Sequence, residues 1–99
     1  MHVRAVAAQF RRGKTRESID LVRYSVLAIT KAQKGFRGFY QMNDASSGKS
    51  VAISTWDTEA DMMAGEISSY YLEQIAKMGI AFAGSPTVEH YEVSVEASV

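Results

Sequence analysis

The sequence predicts an α+β domain of the split βαββαβ kind, a four-stranded antiparallel sheet with both helices on one face. Three observations carry this. Strand-like runs rich in Val, Ala and aromatics stand at 2–10, 36–43, 50–56 and 87–96. The stretches between the first and second and between the third and fourth have helical periodicity, and a turn-rich hexapeptide joins the second to the third.

His2 to Phe10 alternates poorly but is rich in Val and Ala, which suits a central strand covered on both sides. Arg11 to Lys14 is a turn, and Thr15 is placed to cap the helix that follows. Within that helix Ile19, Val22, Val26 and Ile29 make one apolar stripe, ending near Lys34, while Leu21, Tyr24 and Leu27 lie off it. Those three are mild evidence for a second contact surface. Gly35 ends the helix as a left-handed cap, and Phe36 to Asn43 is the next strand.

Asp44 to Lys49 forms the hairpin turn into Ser50 to Trp56. On that strand Val51 and Ile53 share one side, and Ala52, Ser54 and Trp56 the other. Thr58 with Asp61 resembles a capping box, so a second helix begins there. Met62, Met63, Ile67, Tyr71, Ile75 and Met78 give it an apolar face, and Gly65 with Ser68 and Ser69 predicts a kink or break. Gly79 and the Gly84-Ser85-Pro86 turn release a last strand from Thr87 to about Glu96, with Tyr91, Val93 and Val95 on one face.

Ninety-nine residues suit one domain, residues 1–99. A hydrophobic fraction of 46% with eleven basic and eleven acidic residues is a globular composition. No apolar run is long enough to cross a bilayer, and the expectation is a cytoplasmic protein without a membrane partner. The absence of cysteine excludes disulfides, thiolate catalysis and zinc fingers, and two histidines make a metal site improbable. Residues 1–50 hold ten Lys or Arg against three acids, and the remainder one Lys against eight acids. The basic residues are dispersed over strand, loop and helix without a stacking aromatic series, so the halves are expected to attract each other rather than nucleic acid.

Gly13-Lys14-Thr15 and Gly48-Lys49-Ser50 imitate the end of a phosphate loop, but Ala8 and Asn43 stand where its leading glycine belongs. His90, between carboxylates on a late strand, reads either as a general base or as a solvated or interface residue. Met62, Met63 and Met78 with Tyr70, Tyr71 and Phe82 line either core or a pocket for a flat apolar ligand. Trp56 ends a strand at a helix junction, where an indole N–H needs a partner, and it reads either as pure packing or as the marker of a ligand pocket. Two semi-apolar sheet faces in so short a chain predict a homodimer.

Gly35-Phe36-Arg37-Gly38-Phe39-Tyr40, then Asp44 to Gly48, then Val51 to Trp56 followed by Asp57-Thr58-Glu59-Ala60 resembles the antibiotic biosynthesis monooxygenase family. The resemblance implies a ferredoxin-like fold assembled as a dimeric α/β barrel. It also implies a monooxygenase that needs no cofactor and oxidises a small aromatic phenol, quinol or polyketide-like molecule with O2. In that picture Trp56 is catalytic, and Ser54, Phe39, Gln41, Met62, Met63 and Tyr71 contact the substrate, with Tyr71, Tyr40 or Gln41 as a proton relay. Oxygenases of the family pair the tryptophan with an Asn four residues earlier and a Tyr six later; here those places hold Ala52 and Met62. The haem-degrading branch uses a Trp and a His on the second helix, which has neither here. The alternative is a non-catalytic dimeric ligand-binding or stress-response protein.

Overall fold

The computed structural model describes residues 1–66, 76 and 79–98. Four strands, β1 (His2–Gln9), β2 (Phe36–Asp44), β3 (Lys49–Trp56) and β4 (Thr87–Glu92), form one antiparallel sheet in the order β2-β3-β1-β4. The first helix is a continuous rod in three pieces: α1 (Thr15–Leu21), a π-helical turn (Val22–Val26) and α2 (Leu27–Lys31). α3 (Glu59–Glu66) follows β3, and a 3-10 turn (Gly79–Ala81) precedes β4. This is the expected ferredoxin-like α+β arrangement. Among the described residues no helix is long and apolar enough to cross a membrane.

The register divides the sheet into two faces. Arg4 pairs with Ser54 and with His90, and Ser54 with Phe39, so these four make one row across the inner face that the helices cover. Tyr40 pairs with Ile53 and Met42 with Val51 on the outer face, where Ala5 and Ala7 of β1 adjoin them. That outer face is apolar and uncovered in the single chain: Tyr40, Met42 and Tyr91 are all exposed.

Several boundaries differ from the sequence expectation. Thr15 is the first helical residue and not the cap; Lys14 holds that place, without a side-chain hydrogen bond. The rod ends at Lys31, three residues early, and a turn leads to Gly35, whose φ of 79° is the left-handed stop predicted for it. A Cβ there would collide with the Asp61 carboxylate. β4 ends at Glu92, although the Val93 N–H still donates to the Met1 carbonyl at 2.9 Å, so Val95 stands exposed and not on a strand. α3 carries Gly65 within its described length, Glu59–Glu66; Ser68 and Ser69 of the expected break, with Ile67, Tyr70, Tyr71, Ile75 and Met78, lie outside the described residues.

The buried stripe of the rod is not the one read from apolar spacing. Ser18, Val22, Val26 and Thr30 are the buried positions, each four residues from the last, while Ile19 and Ile29 are only half-buried. A strict spacing of four drifts around an α-helix of 3.6 residues per turn. The π turn, with the Leu27 N–H bonded to the Val22 carbonyl, takes up that drift. Ser18 and Thr30 tolerate burial because each hydroxyl donates to the carbonyl four residues back, Lys14 and Val26, at 2.9 Å.

In the β2–β3 turn the Asp44 carboxylate accepts from the Ser46 N–H at 3.1 Å, the Ser46 hydroxyl at 2.7 Å and the Ser47 hydroxyl at 3.0 Å. These bonds favour the ionised form and hold the Asp44 pKa below its usual value of 3.8, the Ser46 hydroxyl contributing most. A lowered folded-state pKa stabilises the hairpin at pH above the unfolded value and loses that contribution as pH falls through the folded one. An NMR titration of the Asp44 carboxyl is expected to give a midpoint below 3.8, moved upward in Ser46→Ala. An unmoved midpoint in that variant would remove the serine as the cause.

Candidate functional site

Between the inner face and the rod lies a cavity of about 50 Å³. Arg4, Ala52 and Ser54 form its sheet side towards one end, Val22, Val26 and Thr30 its helical side, and Phe39 and Gln41 its β2 wall. Two aromatic pairs close the inner face at opposite ends. Phe10 and Phe82, joined by a β-bridge, stack with centroids 5.5 Å apart and planes at 8°; Phe36 meets Trp56 edge-on at 5.6 Å and 80°.

Trp56 is wholly buried at 0% exposure, and its Nε1–H donates to Ser54 Oγ at 2.9 Å. The spacing of two on a strand places the serine beside the indole on the same face. The Trp56 ring does not line the cavity among the described residues; Ser54 does. The indole therefore acts on the cavity through the serine. Having accepted from Trp56, the Ser54 hydroxyl keeps its own hydrogen for a group within the cavity. Arg4, 2% exposed, lays its guanidinium over the indole at 5.4 Å from the ring centroid and also lines the cavity.

The remaining predicted site residues divide. Phe39 and Gln41 are on the lining, because a β-bulge between Phe36 and Gly38 turns both to the inner face. The same bulge turns Tyr40 outward, where it is 70% exposed and away from Trp56. Met62 is buried at 1%, whereas Met63 faces solvent at 40%. Tyr71 lies outside the described residues. Arg4, Ser50 and Thr30, which sequence reasoning did not single out, are buried polar residues of the lining. The signal for Arg4 was present as the single charge in an otherwise Val- and Ala-rich strand.

His90 continues the row beyond Arg4, with its Nε2 at 2.7 Å from Glu66 Oε2. That contact ties the edge strand to α3, both groups being partly exposed. It places His90 at a contact between elements, and His90 is not on the cavity lining. Among the described residues no three His, Cys, Asp or Glu groups converge as a metal site would require.

α3 reaches Trp56 through Gly65. Its N-terminus is set by Thr58, whose Oγ1 accepts the Asp61 N–H at 3.0 Å, the half of the expected capping box that forms. A Cβ on Gly65 would stand 2.7 Å from the indole Cη2. Only glycine lets the helix lie so close.

An inner-face cavity closed by aromatics under a helix, on a ferredoxin-like sheet, defines the class: an α+β protein with a small internal site. The fold is the one shared by many solved structures named as antibiotic biosynthesis monooxygenases. A protein provisionally given that name from Nitrosomonas europaea superposes with a TM-score of 0.81 at 19% identity, over 96% of this chain and 100% of its own. Rv0793 from Mycobacterium tuberculosis does so at 0.77 and 21%, over 99% and 100%. A variant of SnoaB, a cofactor-independent oxygenase from Streptomyces nogalater, does so at 0.80 and 14%, over 96% and 95%. No family model and no curated protein matches the chain.

Gly65→Val would force β-branched bulk against the buried indole, an overpacking cost of about 1–3 kcal/mol. The thermal midpoint is expected to drop by roughly 4–24 °C at the usual 4–8 °C per kcal/mol for a chain of this size. A midpoint equal to wild type would show that α3 does not press on Trp56 in solution.

Proposed function

We propose that the chain is a member of the antibiotic biosynthesis monooxygenase family and oxidises a small aromatic phenol or quinol with O2, without a cofactor. The observation that carries this is the Trp56–Ser54 donor pair fixed at one end of the cavity between sheet and rod. The pair binds the substrate oxygen through the Ser54 hydroxyl, and Gln41 offers a second amide donor across the lining. The apolar wall removes water, and an electron-rich phenolate then passes an electron to O2 unaided. With an anthrone-type substrate, the methylene loses two hydrogens and gains one oxygen as a carbonyl, and the second oxygen atom leaves as water.

The acting form is a homodimer joined through the outer sheet face, and the protein works in the cytoplasm. Support for the dimer is the uncovered face of Tyr40, Met42, Val51 and Ile53 with Tyr91 beside it.

A second reading has its own observation. Ala52 lies on the lining and Met62 is buried, so the two places where the family's oxygenases carry polar groups are apolar here. A ligand-binding or stress-response protein that retains its ligand unchanged fits that composition.

Oxygen uptake with anthrone and hydroquinone substrates separates the two readings. Turnover by the wild type, reduced about tenfold in Ser54→Ala and in Trp56→Phe as the loss of one buried hydrogen bond predicts, supports the oxygenase. Binding without uptake supports the second reading. Sedimentation is expected to give twice the 10.9 kDa chain mass, and monomers for Ile53→Glu; a monomeric wild type would sink the dimer.

A further inference from the structure

The inner cavity has a neighbour. On the far side of Phe39 and Gln41 a groove of about 170 Å³ runs between the rod and β2, the edge strand of the sheet. Cavity and groove share Val22, Phe39 and Gln41 as a common wall. Ile19 and Leu27 make the groove's apolar sides, and Arg23 and Asn43 stand on it as its polar groups.

Neither space alone reaches the roughly 300 Å³ at which small-molecule sites begin. Joined across Phe39 and Gln41 they make about 220 Å³, the larger part of that volume, and both dividing side chains belong to an edge strand that has no further strand beyond it. The helical border of both spaces is the π turn, where winding departs from the α register and Val22 faces cavity and groove together. Such turns recur at functional sites because they reposition side chains without breaking the helix.

We propose that cavity and groove are one two-part site for an aromatic ligand that carries both a hydroxyl and an anionic substituent. The hydroxyl-bearing edge enters the cavity towards Ser54, the ring lies between Ile19 and Leu27, and the anionic group meets Arg23 at the rim. Arg23 suits this role by its looseness: its side chain is 60% exposed and only 4.0 Å from Asp20, an i,i+3 pair of little worth, so a ligand anion displaces little. The apolar walls set the ring's place and the single cation at the rim sets the ligand's charge.

This deepens the proposed function, since it rests on the cavity being a ligand site, and it is tested by binding and not by oxygen uptake. Calorimetric titration of the full chain compares 2-naphthol with 6-hydroxy-2-naphthoate, which adds a carboxylate at the far end of the ring system from the hydroxyl. The hydroxynaphthoate is expected to bind about tenfold more tightly, the factor one charge-assisted contact supplies. Arg23→Gln, a change at an exposed position, should bring the two affinities together. Leu27→Glu, with its thermal midpoint checked against wild type, should weaken both.

Equal wild-type affinities, a preference that survives Arg23→Gln, or unaltered binding in a folded Leu27→Glu would each overturn the two-part site. Those results would leave the oxygenase reading standing on its own uptake assay. Failure of uptake would leave the two-part site standing in turn.

Discussion

Burying an indole completely means that its N–H must find an acceptor inside the protein, since an unsatisfied buried donor costs about 1–3 kcal/mol. Trp56 meets this condition with Ser54 two residues earlier on the same strand, and the rest of the inner face is arranged around the pair. Arg4, opposite Ser54 on β1, covers the ring; Phe36, opposite Trp56 on β2, meets its edge; Gly65 lets α3 close over it. The end of the cavity is thus held by contacts from three strands and one helix. A hydroxyl fixed in this way presents its hydrogen in one direction, which is what a binding group needs if it is not to lose orientational freedom on contact.

The same economy of polar groups explains the rod. Buried Ser18 and Thr30 continue the stripe of Val22 and Val26 at a spacing of four because each hydroxyl is satisfied by its own helix. Apolar spacing in the sequence found the two valines and then chose Ile19 and Ile29 to complete the stripe, since serine and threonine score as surface residues. The misplacement has a physical origin. A π turn changes the period within the helix, and no residue type announces it. What could be read was the helix itself, its glycine stop and its general face.

Strand order, the hairpin and the position of Trp56 were all legible, because turn chemistry and period-two alternation are local. The face assignment of β2 was not. Strict alternation would put Phe36, Gly38 and Tyr40 together, and the bulge at Arg37 breaks that parity, so Phe36, Phe39 and Gln41 point inward and Tyr40 outward. One inserted residue therefore decides which of Tyr40 and Gln41 can serve the site. Arg4 was overlooked for a different reason: a charge in a strand is counted with the surface until the register shows it under a helix beside an aromatic ring.

The described lining of the cavity holds hydroxyls, one amide and one guanidinium, and neither a carboxylate nor an imidazole. Arg4 cannot act as a base, because a guanidinium keeps its proton under all ordinary conditions. A lining of donors stabilises the ionised oxygen of a ligand but offers no base to carry its proton away. Ala52 on the lining and the buried Met62, both apolar, press in the same direction. Chemistry on these side chains would consequently fall to substrates that are acidic and electron-rich on their own account. Phenols whose anion is spread over a fused or carbonyl-bearing ring meet that demand, whereas molecules that need a strong general base do not. The polarity of the wall thus constrains the proposed chemistry more than the shape of the fold does.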